Sequence, residues 1–198
     1  MKSSVFFRAF EVDDAILINK WKNDDTINSQ TIGLNRKICY EDNLEWVKSK
    51  MHHLPYEVYW AICANDGSQK MIGWAYLTDI HFIHRSANFG GIIIADPDYH
   101  NGLEWIDSYK FVLEYAFERL NLNRLYGTKL VDHKQSMLIS KIMYFQQEGV
   151  YRQSVFKDGR YHDVSVSSIL QKEYFEHLNN GDYELPQILM RLRQYKKN

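Results

Sequence analysis

The stretch Ile92-Ile93-Ile94-Ala95-Asp96-Pro97-Asp98-Tyr99-His100-Asn101-Gly102-Leu103-Glu104-Trp105 carries the organising signal of this chain. A fully apolar run ends at Asp96-Pro97-Asp98, and a short polar loop leads to Gly102 at the start of a long amphipathic segment. That pattern predicts a buried strand, a turn and a helix. The first turn of a helix presents unpaired backbone N–H groups and the positive end of its dipole, which suits an anion such as a diphosphate. A glycine there lets the backbone approach a ligand closely. Taken alone, the segment also fits a strand-to-helix turn with no ligand.

The prediction widens on both sides. Leu103, Ile106, Leu113, Ala116, Phe117 and Leu120 fall at helical spacing, so the helix runs from about Gly102 to Leu120. Arg124 to Val131 returns as a strand, which implies a parallel pair joined by a right-handed crossover. Upstream, Ala87 to Ala95 contains Gly90 and Gly91, a sign of a bulge, a splay or close approach by another chain or ligand.

Before this unit, Val5 to Phe10 reads as a strand, and Asp13-Asp14 opens a helix that stops at Asn23-Asp24-Asp25. A polar loop to Lys37 and a helix from Glu41 to Met51 follow. Glu57 to Ala64 and Met71 to Ile80 form a hairpin around Asn65-Asp66-Gly67. After it, Asp132 with Gln135 predicts a capping box for a helix to about Tyr144. Gly149 to Phe156 and Tyr161 to Leu170 pair around Lys157-Asp158-Gly159, and helical segments lie near Gln171 to Leu178 and Pro186 to Tyr195. The class is α/β, a mixed sheet with helices on both faces and a central β-α-β unit.

A chain of 198 residues, 45% hydrophobic and 25% charged, supports a core without staples. Net charge is −1, which argues against a nucleic-acid partner. The basic residues Arg191, Arg193, Lys196 and Lys197 read as a solvated helix face or tail. Two distant cysteines, Cys39 and Cys63, fit a reducing compartment with neither disulfide nor metal site. With no signal peptide and no membrane-spanning run, the expectation is a cytoplasmic protein that does not engage a membrane.

Several motifs, in order, resemble the GNAT superfamily of N-acetyltransferases: Phe7-Arg8-Ala9-Phe10, Trp21-Lys22-Asn23-Asp24, Lys70-Met71-Ile72-Gly73, Ile80 to Ala87 (IHFIHRSA), Ala116 to Leu122 (AFERLNL), Gln147-Glu148-Gly149, Asp158 to Asp163 (DGRYHD) and Ser168-Ile169-Leu170. The resemblance spans about residues 5 to 176 and is similar in flavour to spermidine, ribosomal-protein N-terminal and nucleotide-amino-sugar acetyltransferases. It implies a GNAT-like, mostly antiparallel twisted sheet, with a GNAT-like domain over residues 1–178 and a C-terminal helical extension over 179–198. The implied reaction moves acetyl from acetyl-CoA, as cosubstrate, to the primary amine of a polyamine, an amino sugar or a protein N-terminus. The amine attacks the thioester directly and a general acid protonates the leaving thiolate. The resemblance also implies that the backbone of Ile92, Ile93 and Ile94 pairs with pantetheine, and that Tyr99, His100, Asn101, Gly102, Leu103 and Glu104 wrap the diphosphate. His133 and Ser136 would complete the cofactor contacts.

The pattern is broken at informative places. Tyr99 opens the diphosphate loop and Glu104 replaces its last small residue, setting a carboxylate beside phosphates. Asn88 stands where a strand Glu is common, His133 where an Asn contacts cofactor, Ser140 where a Tyr acts as general acid, and Tyr144 in place of a Gly. Substituted chemistry would then fall to Tyr144 or His133 as acid and to His84 or His81 as base. Each also has a plain structural reading. The alternative is a GNAT-fold binding module without catalysis. Asp13, Asp14, Asp24, Asp25, Glu41, Asp42 and Glu45 would suit a cationic acceptor or simply be solvated. A homodimer is a further expectation, with Ile188, Leu189, Leu192 and Tyr195 forming a short apolar face.

Overall fold

The computed structural model describes residues 2–33, 36–52 and 55–195; Lys196 and Lys197 of the basic cluster lie outside them. The elements run β1 (Val5–Arg8), α1 (Asp14–Lys22), α2 (Asp25–Ser29), α3 (Tyr40–Met51), β2 (Val58–Ala64), β3 (Met71–His81), β4 (Ser86–Ile94), α4 (Leu103–Glu114), β5 (Arg124–Leu130), α5 (Lys134–Ile142), β6 (Gln146–Lys157), β7 (Arg160–Leu170), α6 (Gln171–Asn179) and α7 (Leu185–Tyr195). The strand order is β1-β2-β3-β4-β5-β7-β6, mostly antiparallel, with β4 and β5 parallel as the crossover predicts. Two compact units are distinguished: residues up to Ile80 with Phe89–Val112, and His81–Asn88 with the chain from Leu113 onward. The division falls inside β4 and α4, and α6 and α7 belong to the second unit.

In the first unit the two-residue period of the strands sorts side chains to opposite faces. Phe6, Ala61 and Cys63 join Ala15, Ile18, Trp21 and Val47 of α1 and α3 in one core. Phe7 stacks on Phe111 of α4 at 3.7 Å and Trp60 meets the same ring edge-on, so α4 covers the other face. Ile18 and Val47 are fully buried, each worth about 1.5–3 kcal/mol in burial. Arg8 holds Asp14 with two hydrogen bonds, of 2.7 and 2.8 Å, tying the end of β1 to the start of α1. Gly90 is required by its neighbour: a Cβ there would lie 2.0 Å from the Tyr76 ring, itself stacked on Tyr59. The expected close approach at Gly90 is therefore made by a side chain of β3.

In the second unit β5 and β7 pair from Arg124↔Leu170 to Leu130↔Val164. The β6–β7 hairpin turns on Asp158 and Gly159, both at positive φ, as the two-residue turn requires. Tyr174 of α6 stacks on Phe117 at 4.9 Å and donates to Glu118, fixing α6 on the chain that follows α4.

Three local expectations need correction. The polar loop before Lys37 contains α2, because Asp24 accepts from the N–H groups of Thr26 and Ile27 and caps a short helix. The long helix leaves α geometry after Glu114 and finishes as one π turn, Tyr115–Arg119. Helix α5 is capped by His133, whose Nδ1 accepts from Ser136 N at 3.1 Å; Asp132 is instead bound to Arg160 and His162.

Candidate active site

The end of β4 and the loop after it form one hydrogen-bonded piece. Asp96 accepts from Asp98 N with Pro97 in the first position, so Pro97–Tyr99 closes as a 3-10 turn. Lys70 pairs with Asp96 at 3.1 Å and lies 4.9 Å from the Tyr99 ring centre. Tyr99 donates its hydroxyl to Asp66 at 2.6 Å, which keeps the phenol protonated and holds the Asp66 carboxyl down at about 2. His100 reaches back so that Nε2 lies 2.9 Å from the carbonyl oxygen of Ile94. The sequence marked Lys70 only within a family-like motif and Asp66 only as a turn residue, and neither is near the loop in the chain, so their contacts with it were not legible.

At the mouth of α4, Gly102 has φ +99°, and among the described residues nothing lies within 4 Å of where a Cβ would stand. Only glycine adopts that backbone without strain, and its open side leaves room for a phosphate against the backbone. Asn101 accepts from Leu103 N at 2.9 Å and donates to Glu104 Oε1 at 3.0 Å. Glu104 is 4% exposed, and its Oε2 is buried with no hydrogen-bond partner among the described residues. The carboxylate thus folds onto Asn101 within the first turn. The loop fits a diphosphate at Gly102 and carries one opposing charge.

The second unit holds the remaining candidates. His84 and His81 stack at 4.1 Å in the β3–β4 turn, and His84 N donates to His81 Nδ1. His133 is half-buried, and desolvation lowers its pKa, favouring the neutral ring. Tyr144 sits at φ +66° with its ring stacked on His177 at 3.5 Å, Arg191 4.5 Å from the ring centre and Tyr183 edge-on. Burial raises the Tyr144 pKa, with Arg191 opposing. The structure packs this ring among α6, α7 and the segment between them.

Ser140 is buried on α5 and receives a hydrogen bond from Lys129 Nζ at 2.6 Å; the same ammonium donates to Ser167 at 2.6 Å. Desolvation brings the Lys129 pKa down to about 8. Sequence reading missed Lys129, because its partners lie 11 and 38 residues away. In the first unit Lys22 stands 3.1 Å above the ring centre of Trp46, which meets Tyr59 edge-on, and desolvation lowers the Lys22 pKa also to about 8.

Residues 4–143 match the acetyltransferase (GNAT) domain family, and the chain belongs to that family. It is 32% identical over 177 residues to the spermidine N(1)-acetyltransferase of Vibrio cholerae, covering 88% of this chain and 97% of that protein. The structure of a Vibrio cholerae spermidine N-acetyltransferase in complex with CoA and spermine superposes with a TM-score of 0.79 at 29% identity, over 88% of this chain and 99% of that one. A dodecameric form of the Vibrio cholerae enzyme matches with a TM-score of 0.73 at 26% identity, over 89% and 99%. The chain is an acetyl-CoA-dependent N-acetyltransferase acting on an amine. Among the described residues no helix is long and apolar enough to cross a membrane.

Proposed function

We propose that the acceptor is an aliphatic polyamine. The observation that carries this reading is the likeness, along nearly its whole length, to an enzyme solved with CoA and spermine. Of the acidic residues singled out above, Asp14 is committed to Arg8, Asp24 to the α2 cap and Asp25 to Lys37. Asp13, Glu41, Asp42 and Glu45 are left to draw in a cation. The backbone of Ile92–Ile94 takes the pantetheine amides and Gly102 the diphosphate. His133 and Ser136 are proposed as further cofactor contacts, and His84 as the group that accepts the amine proton. Self-association is proposed from the dodecameric relative and from the edge strand β6, whose hairpin exposes Tyr151, Phe156 and Tyr161.

One observation favours a second acceptor. Lys22 against Trp46, with the half-buried Tyr59 and Tyr76 stacked nearby and Lys50 already paired with Glu57, is an aromatic patch with one uncommitted cation that suits a nucleotide-linked amino sugar. Spermidine, amino sugars and peptides with free N-termini, assayed side by side for CoA release, separate the readings. Turnover of spermidine alone supports the first; turnover of the amino sugar alone overturns it. Sedimentation velocity measures the assembly.

A further inference from the structure

Two lines of hydrogen bonds leave the turn between β2 and β3, residues 65–70. One reaches the loop before α4 and the other reaches α4 itself. On the first line, Asp66 Oδ2 accepts from the Tyr99 hydroxyl at 2.6 Å, while Asp66 Oδ1 is fixed by Ser68 N at 3.0 Å and Ser68 Oγ at 2.7 Å. Lys70, at the end of the same turn, pairs with Asp96 at the start of the loop. On the second line, Asn65 N donates to Ser4 O at 2.9 Å and Asn65 Nδ2 donates to Ser3 O at 2.8 Å. Ser4 then donates from N and from Oγ to Asp107 Oδ2 of α4, at 2.7 and 2.8 Å. All of these residues belong to the first unit.

The loop gains from such support. It closes on itself with the long bonds of a 3-10 turn, Tyr99 N to Asp96 O at 3.1 Å and His100 N to Pro97 O at 3.3 Å, a geometry weaker than that of an α-helix. An anion seat built from backbone N–H groups works only while the backbone keeps its shape. A loop ordered before the ligand arrives spares binding that loss of entropy. The need is greater here, because Glu104 sets an opposing charge in the first turn of α4.

We propose that the β2–β3 turn is a brace for the diphosphate loop, and that Asp66 is a positioning residue acting through Tyr99. Asp66 holds the loop in the shape that presents the backbone at Gly102 to the diphosphate of CoA. The proposal rests on the reading that the diphosphate sits at Gly102, and goes beyond it by assigning the groups that keep this seat formed in the free protein. Tyr99, which stands first in the loop, turns its hydroxyl to the scaffold and not to the ligand. The Asp66 carboxyl is held down at about 2, first by Tyr99 and then by Ser68, so it stays an acceptor at neutral pH. Asn65, Ser4 and Asp107 brace α4 from the same turn, so the loop and the helix that share the seat are fixed to one support.

The test uses the full chain with Asp66→Ala, Asp66→Asn, Tyr99→Phe and the Asp66→Ala/Tyr99→Phe pair. Amide hydrogen exchange at Tyr99 and His100 is followed in the ligand-free protein. Calorimetry then gives the affinity for CoA and for pantetheine, which lacks the diphosphate. Asp66→Ala and Tyr99→Phe should each speed exchange at these two amides and weaken CoA binding about 3- to 10-fold, the worth of one hydrogen bond, with pantetheine affinity unchanged. In Asp66→Ala the KM for acetyl-CoA should rise by the same factor while kcat holds. Asp66→Asn keeps an accepting oxygen and should recover most of the affinity. The double variant should lose no more than either single one, because both remove the same bond. Tyr99→Phe removes one oxygen and keeps the ring, so it reads the bond even where Asp66→Ala loosens the turn. Wild-type CoA affinity in both single variants, an equal loss for pantetheine, or additive losses in the double variant overturns the proposal. A wild type that binds CoA no more tightly than pantetheine overturns the diphosphate reading itself, and is recognised before any variant is made.

Discussion

Glu104→Gln should tighten CoA binding while weakening the fold slightly, two effects of opposite sign. The side chain is buried in the first turn of α4, with one oxygen on Asn101 and the other without a partner among the described residues. A diphosphate at Gly102 would lie about 6 Å away, roughly one helical pitch. Unit charges at that distance repel by about 2.8 kcal/mol at an effective dielectric near 20. Screening over a Debye length of about 8 Å roughly halves the figure. The remaining ~1.4 kcal/mol is about a tenfold gain in affinity. The same carboxylate favours the helix dipole by about 0.3–1 kcal/mol, so its loss should lower the melting temperature by about 1–4 °C. Calorimetric titration with CoA, and with pantetheine as a ligand lacking the diphosphate, reads the first effect. Pantetheine affinity should not change. Unchanged or weaker CoA binding, or an equal gain for pantetheine, would refute a diphosphate seated at the mouth of α4.

Gly90→Ala places a methyl 2.0 Å from the Tyr76 ring, which is backed by Tyr59, so overpacking should cost about 1–3 kcal/mol in a thermal melt; an unchanged melting temperature would show that the stack yields freely. Arg124 holds the Glu148 carboxyl down from 4.5 to about 2. A folded-state pKa below the unfolded value stabilises above pH 4.5, and that part is lost as pH falls towards 2. Urea midpoints should therefore show a shallower acid decline in Glu148→Gln than in the wild type, and parallel declines would remove the pair as a cause. Tyr144→Phe keeps the stack on His177 and should leave turnover intact, whereas removal of a true proton donor would cost about 10²-fold or more.

Much of the architecture was legible because it rests on period and punctuation. The apolar run to Ile94, the Asp-Pro-Asp break, Gly102 and the helical spacing after it gave β4, the loop and α4 close to where they stand. Asp158-Gly159 marked its hairpin for the same reason, since few residues accept positive φ. Where the reading failed, two side chains competed for one job. Asp132 and His133 are both able caps for α5, and the contest was decided by Arg160 and His162 on β7, which draw Asp132 away. Helix α2 was hidden because its five residues are too few to show a period.

The site divides along the same line. The sequence by itself determined the strand–loop–helix unit and the glycine that opens it, because backbone conformation is a property of neighbours in the chain. It also showed which familiar residues had been replaced, at Glu104, Ser140 and Tyr144. Only the tertiary structure decided what the replacements do. Glu104 turns onto Asn101, Tyr144 is claimed by the C-terminal helices, and Ser140 meets Lys129 and Ser167. Desolvation and hydrogen bonding depend on which distant segments converge, and no local pattern reports a lysine and two serines brought together by β5, α5 and β7.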